Sequence, residues 1–188
     1  MKTYRTLAVA AAAWLAATSA QAAYTLPAAT VITGQVSGAS TTLLGLDHGF
    51  ADEPGSNTTA LAPSDLEFLS GDALVAIDFF SDGQVQVWNN SGATGLAGSY
   101  SFSFSFAGIG LPIASFALLD LSGVNGGSIS AQLTGPNTIS LTLNNLSFTS
   151  EFGSFTTQLS VNAVPEPTSL ALAGAGLGLL ALRRRARA

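Results

Sequence analysis

Hydrophobic and polar positions alternate most cleanly over Ser99–Phe106, where Tyr100, Phe102, Phe104 and Phe106 are interleaved with Ser99, Ser101, Ser103 and Ser105. A period of two sends successive side chains to opposite faces of an extended chain. The stretch therefore predicts a strand with its rings in a core. Two other readings of it are an aromatic platform for sugars and a self-assembling β edge. Ala73–Phe80 is apolar-rich, Asp82-Gly83 is a turn signal, and Val85 and Val87 recur before Trp88, so Asp72–Asn90 reads as a hairpin. Ala114–Leu121 is nearly continuously apolar and predicts a strand buried on both faces.

Further on, Asn125-Gly126-Gly127 predicts a turn, Ile129, Ala131 and Leu133 alternate, and Gly135-Pro136-Asn137 predicts another turn. Ile139, Leu141 and Leu143 share one parity, whereas Leu146 and Phe148 share the other. A flat strand would throw one set to the wrong face, so Asn144-Asn145 predicts a bulge or tight turn. Leu159, Val161 and Ala163 predict a last strand. Asp47–Ser64 is the longest irregular stretch and predicts a surface loop. Turn signals about every ten residues and no long amphipathic helix give the fold class: all-β, an antiparallel β-sandwich or barrel-like domain over residues 23–163.

The two ends follow different rules. Lys2 and Arg5 precede an apolar stretch, Leu7–Ala17, which leads to Ala20-Gln21-Ala22. Positive start, short greasy centre and small residues at Ala20 and Ala22 predict a signal peptide over 1–22, cut after Ala22. At the other end, Val164-Pro165-Glu166-Pro167 predicts a stiff extended segment, because each proline fixes its own backbone and biases its predecessor. An uncharged run, 168–182, follows, and as a helix it would reach about 22 Å, short against a hydrocarbon core of about 30 Å. Arg183, Arg184, Arg185 and Arg187 close the chain, and such basic residues stay on the cytoplasmic side. Both ends thus agree on a body outside and arginines inside.

Charge sharpens this division. The chain has 188 residues, a net charge of −5 and no cysteine, and its six basic residues are all in the two end segments. Nothing from Thr6 to Leu182 carries Lys or Arg, while every acid lies in that interval. Nucleic-acid binding, which needs cations to displace phosphate counterions, is excluded for the body. An arginine clamp for anionic substrates is excluded too. Disulfides, thiolate metal sites and cysteine nucleophiles have no residues to form them.

Pro165-Glu166-Pro167, the short apolar run and the terminal arginines together resemble the PEP-CTERM sorting signal of Gram-negative bacteria, a tail also catalogued as an ice-binding-protein C-terminal domain. The resemblance covers 164–188. It implies recognition of Pro165, Glu166 and Pro167 by an exosortase, with Arg183, Arg184, Arg185 and Arg187 as the cytoplasmic stop. It also implies a transient stay in the inner membrane, then release or attachment at the cell surface, often beside exopolysaccharide production and biofilm. Signal peptidase and the Sec machinery are the partners expected at the front end. A plain single-pass anchor is the competing reading of the tail.

Candidate chemistry in the body is sparse. His48 is the only histidine; it is the candidate base of a Ser-His-Asp set with Asp47 or Asp52, but no G-x-S-x-G elbow occurs. Glu53, Glu67 and Glu151 are candidates for a glycosidase carboxylate pair. Asp47, Asp52 and Glu53, with Asp65 and Glu67, offer hard oxygen ligands for weak calcium binding, though no calcium-loop motif supports it. The expectation is a non-enzymatic protein without cofactor. The alternatives are a carbohydrate-binding or adhesive module using Trp88 and Tyr100, and a secreted hydrolase.

Overall fold

In a computed structural model the described residues, 25–62 and 64–161, form an antiparallel two-sheet structure of sandwich type. The expected signal helix and membrane span lie outside these residues. The strands run β1 (Val31–Gly38), β2 (Leu43–Gly45), β3 (Thr58–Ala60), β4 (Phe68–Ser70), β5 (Val75–Phe79), β6 (Gln84–Asn89), β7 (Gly95–Ala107), β8 (Ile113–Asp120), β9 (Val124–Gly135), β10 (Thr138–Phe148) and β11 (Ser154–Val161). One sheet has the order β3-β1-β7-β10-β9, and the other β2-β4-β5-β6-β11-β8.

The aromatic-serine strand is β7, in the middle of its sheet between β1 and β10. Tyr100, Phe102, Phe104 and Phe106 are all at most 2% exposed. Phe104 meets Phe79 of the opposite sheet edge-on at 5.0 Å, and Phe106 meets the same ring at 5.6 Å, spacings at which edge and face of the rings attract. The core reading of this strand holds. With a hydrogen-bonded neighbour on each side and its rings covered, β7 is neither an exposed platform nor an edge.

Most of the remaining pattern is met locally. β5 and β6 form the expected hairpin, with Gly83 in the left-handed region at φ 82°. The register of β10 against β7 shifts between Asn144 and Leu146, and Asn145 takes φ 44°. That bulge lets Leu143 and Leu146 both reach the core at 1–2% exposure.

Three expectations are corrected. Asn125-Gly126-Gly127 is not a turn: β9 runs through it, and Gly127 takes φ 88° opposite the Asn145 bulge. The turn comes earlier, where the Val124 N–H donates to the Leu121 carbonyl. Asp47–Ser64 is not wholly irregular, since Leu46–His48 is a 3-10 turn and Thr58–Ala60 pairs with β1. Finally, β8 is not buried on both faces. It is the border strand of its sheet, and only Ile113 and Phe116 along it are buried. A greasy run satisfies a central strand, but sheet order is set by pairings far apart in sequence, and here β8 pairs on one side only, with β11.

Candidate functional site

The acidic loop is built around backbone needs. Asp47 Oδ2 accepts the Ala60 N–H at 2.9 Å, fastening the 3-10 turn to β3. His48 Nδ1 lies 2.7 Å from Glu53 Oε1, so the carboxylate that meets the imidazole is Glu53, not Asp47 or Asp52. The pair is exposed at the surface.

Glu67 belongs elsewhere. It is 0% exposed, its Oε1 accepts the Ala62 N–H at 2.8 Å, and its Oε2 accepts the Phe79 N–H at 2.6 Å. These bonds fix the start of β4 to β5, so Glu67 is removed from both the calcium and the glycosidase readings. Its pKa is raised to about 8, by burial first and then by neighbouring Asp78, against the lowering effect of the two N–H donors. Asp78 is also raised, by burial first and by the charge of Asp65. The Phe68↔Ile77 register sets Glu67 opposite Asp78. Two like charges so placed repel, which disfavours ionising both.

A second carboxylate braces the sheets. Asp72, in the turn between β4 and β5, accepts the Ser70 hydroxyl at 2.5 Å on Oδ1 and the Tyr100 hydroxyl at 2.7 Å on Oδ2. Partial burial opposes its charge, but the Ser70, Tyr100 and Leu74 donors outweigh that and hold its pKa below the ordinary aspartate range. Burial, then Asp72, pushes the Tyr100 phenol up. Tyr100 is 1% exposed, so it is corrected from sugar platform to structural tie.

Trp88 is different. Val85 and Val87 on β6 point inward at 1% exposure, which leaves Trp88 outward at 37%. Its neighbours across the ladders are Ala76 and Ser154, both small. Gln86 on the same strand donates to Ser154 Oγ at 3.0 Å. The outer face of the six-stranded sheet thus carries one indole among amides and hydroxyls. A shallow polar hollow elsewhere is lined by Ser40, Thr41, Thr42, Asp52 and Asp72. Among the described residues, no three His, Cys, Asp or Glu side chains gather as a metal site, and no helix is long and apolar enough to cross a membrane.

Pro165, Glu166, Pro167, the four terminal arginines, Ala20 and Ala22 lie outside the described residues. Sequence comparison reaches the first of these groups and Arg183, Arg184 and Arg185. Residues 163–185 match the family model described as the PEP-CTERM protein-sorting motif. The chain therefore carries the sorting tail of an exosortase substrate, a tail that marks its bearer for export and for processing at the membrane on the way to the surface. No curated protein and no solved structure matches the chain.

Proposed function

We propose that this chain is a non-catalytic surface or extracellular matrix protein of a Gram-negative bacterium. It is exported with a leader cut after Ala22 and held in the inner membrane by 168–182. An exosortase then processes it at Pro165-Glu166-Pro167, and it acts beside exopolysaccharide or in biofilm. The observation that carries this reading is the sorting-motif match at 163–185, joined by the charge layout, in which Lys and Arg occur only at the two ends. Intact-mass measurement of the surface and released protein tests it. The expected species starts near Ala23 and lacks Arg183–Arg187. Released protein that still ends in Ala188 overturns the processing.

A second reading, a carbohydrate-binding or adhesive module, is favoured by Trp88, whose indole stands exposed on a sheet face among Gln86, Ser154 and Thr156. An indole face suits the C–H face of a sugar ring, and a body without Lys or Arg points to neutral rather than anionic glycans.

A further inference from the structure

The two sheets end side by side in an open seam. β8 borders one sheet and β9 the other. The turn between Leu121 and Val124 joins them at one end, and at the other the Ile113 N–H donates to the Pro136 carbonyl at 2.7 Å. Between these ties they do not pair with each other: β8 pairs with β11 and β9 with β10.

The core comes to the surface along this seam. Leu133, Ala131 and Ile129 stand opposite the buried Ile139, Leu141 and Leu143 of β10 and so share their inward face. Yet Leu133 is 41% exposed, and Ile129 and Ala131 are only half-buried. On β8, Leu118 is 39% and Leu119 54% exposed, and Leu121 just beyond is 39% exposed. Among the described residues, these leucines are four of the seven large hydrophobic side chains left exposed.

β9 also lacks the charged and proline residues that keep border strands apart. It is 12 residues long and contains no Lys, no Pro and no charge of any kind. Proteins ordinarily guard such edges with those residues or with a covering element.

Charge permits a second copy as the occupant. Of the acids in the body only Asp120 borders the seam, and no basic residue occurs between Thr6 and Leu182 to neutralise the rest. β9 carries no charge, so two copies can meet along it without setting acid against acid, as the loop of Asp47, Asp52 and Glu53 could not. A basic partner would be drawn to the acidic faces instead. A glycan would find aliphatic leucines here rather than aromatic rings.

We propose that the seam is a self-association surface at which a second copy of this chain docks with its β9 antiparallel to β9 of the first. Such an isologous contact extends the five-stranded sheet into a ten-stranded one and buries Leu133 with its row. It stands on the folded body and goes beyond the sorting reading.

The test uses the full chain, which has no cysteine, in detergent. Single substitutions Ser128→Cys, Ser130→Cys, Gln132→Cys and Thr134→Cys place a thiol along the outward face of β9, and Ser103→Cys on central β7 is the control. After mild oxidation, the expected result is a disulfide-linked dimer that peaks at one β9 position, since two cysteines bridge only when their Cα atoms are within about 7 Å. Leu133→Lys in the best background is expected to cut the dimer at least about tenfold while circular dichroism stays that of the parent; a half-exposed lysine would leave the fold intact. Cross-linking at β9 no greater than at Ser103→Cys overturns the proposal. So does a β9 dimer that persists at full yield in a folded Leu133→Lys chain.

Discussion

The Tyr100 hydroxyl donates to Asp72 Oδ2 at 2.7 Å, linking the central strand of one sheet to a turn of the other. Tyr100→Phe keeps the ring and deletes the bond, and its cost is expected to be about 1 kcal/mol, at the low end for a charged acceptor because Asp72 is itself exposed. Asp72 has a depressed pKa in the fold, so its contribution is present above the unfolded aspartate pKa and disappears as pH falls through the folded one. The difference between wild type and Tyr100→Phe in urea titrations should therefore shrink in strong acid. A penalty independent of pH would show that Asp72 is not the partner that matters.

Glu67 works with the opposite sign. Its pKa is raised to about 8 in the fold from an unfolded value of 4.5, so its contribution is complete below that unfolded value and is lost as pH climbs toward 8. Wild-type stability is expected to decline over this window. Glu67→Gln should be less stable at acid pH, since its amide faces one N–H it cannot accept, but should lack most of the decline. Equal slopes in the two proteins would refute the raised Glu67 carboxyl.

At the paired bulges, a Cβ added to Gly127 would lie 2.5 Å from the Asn145 carbonyl oxygen and 2.6 Å from that of Asn144, at φ 88°. Backbone atoms cannot swing aside as a side chain can. Gly127→Ala is expected to cost at least about 2 kcal/mol, read from the midpoint of thermal or urea unfolding.

Phe152 presents the reverse situation. It holds φ 54° while its ring is 56% exposed, so the backbone strain has little burial to offset it. Phe152→Gly is expected to raise stability by about 1 kcal/mol. A loss of stability would mean the ring packs more than its exposure implies.

Trp88→Ala separates display from packing. With 37% of the residue exposed, the substitution should leave the fold cooperative, and binding to neutral glycans on an array should vanish. An array on which the wild-type chain binds nothing removes the carbohydrate reading.

The sequence shows local rules well and distant ones poorly. The parity flip around Asn144-Asn145 announces the bulge because the requirement that Leu143 and Leu146 both reach the core can be counted along one strand. The rings of β7 announce a core for the same reason. The exposed side of β8 is hidden, because a run such as Ala114–Leu121 reads alike whether a strand has one neighbour or two. Glu67 was hidden as well: its burial depends on the Phe79 N–H twelve residues away, and no spacing in its neighbourhood marks that bond. Tyr100 reads as available for sugar in the sequence, yet its hydroxyl is used by Asp72 of the opposite sheet. The candidate site was legible at the tail, where proline, apolar length and arginine order act within some two dozen residues.

β11, the last described strand, is held by β6 on one side and β8 on the other. A pull on the chain beyond Val161 is thus shared as shear between two ladders and cannot peel a border strand away one bond at a time. A body moored by that end would resist drag along its strongest direction.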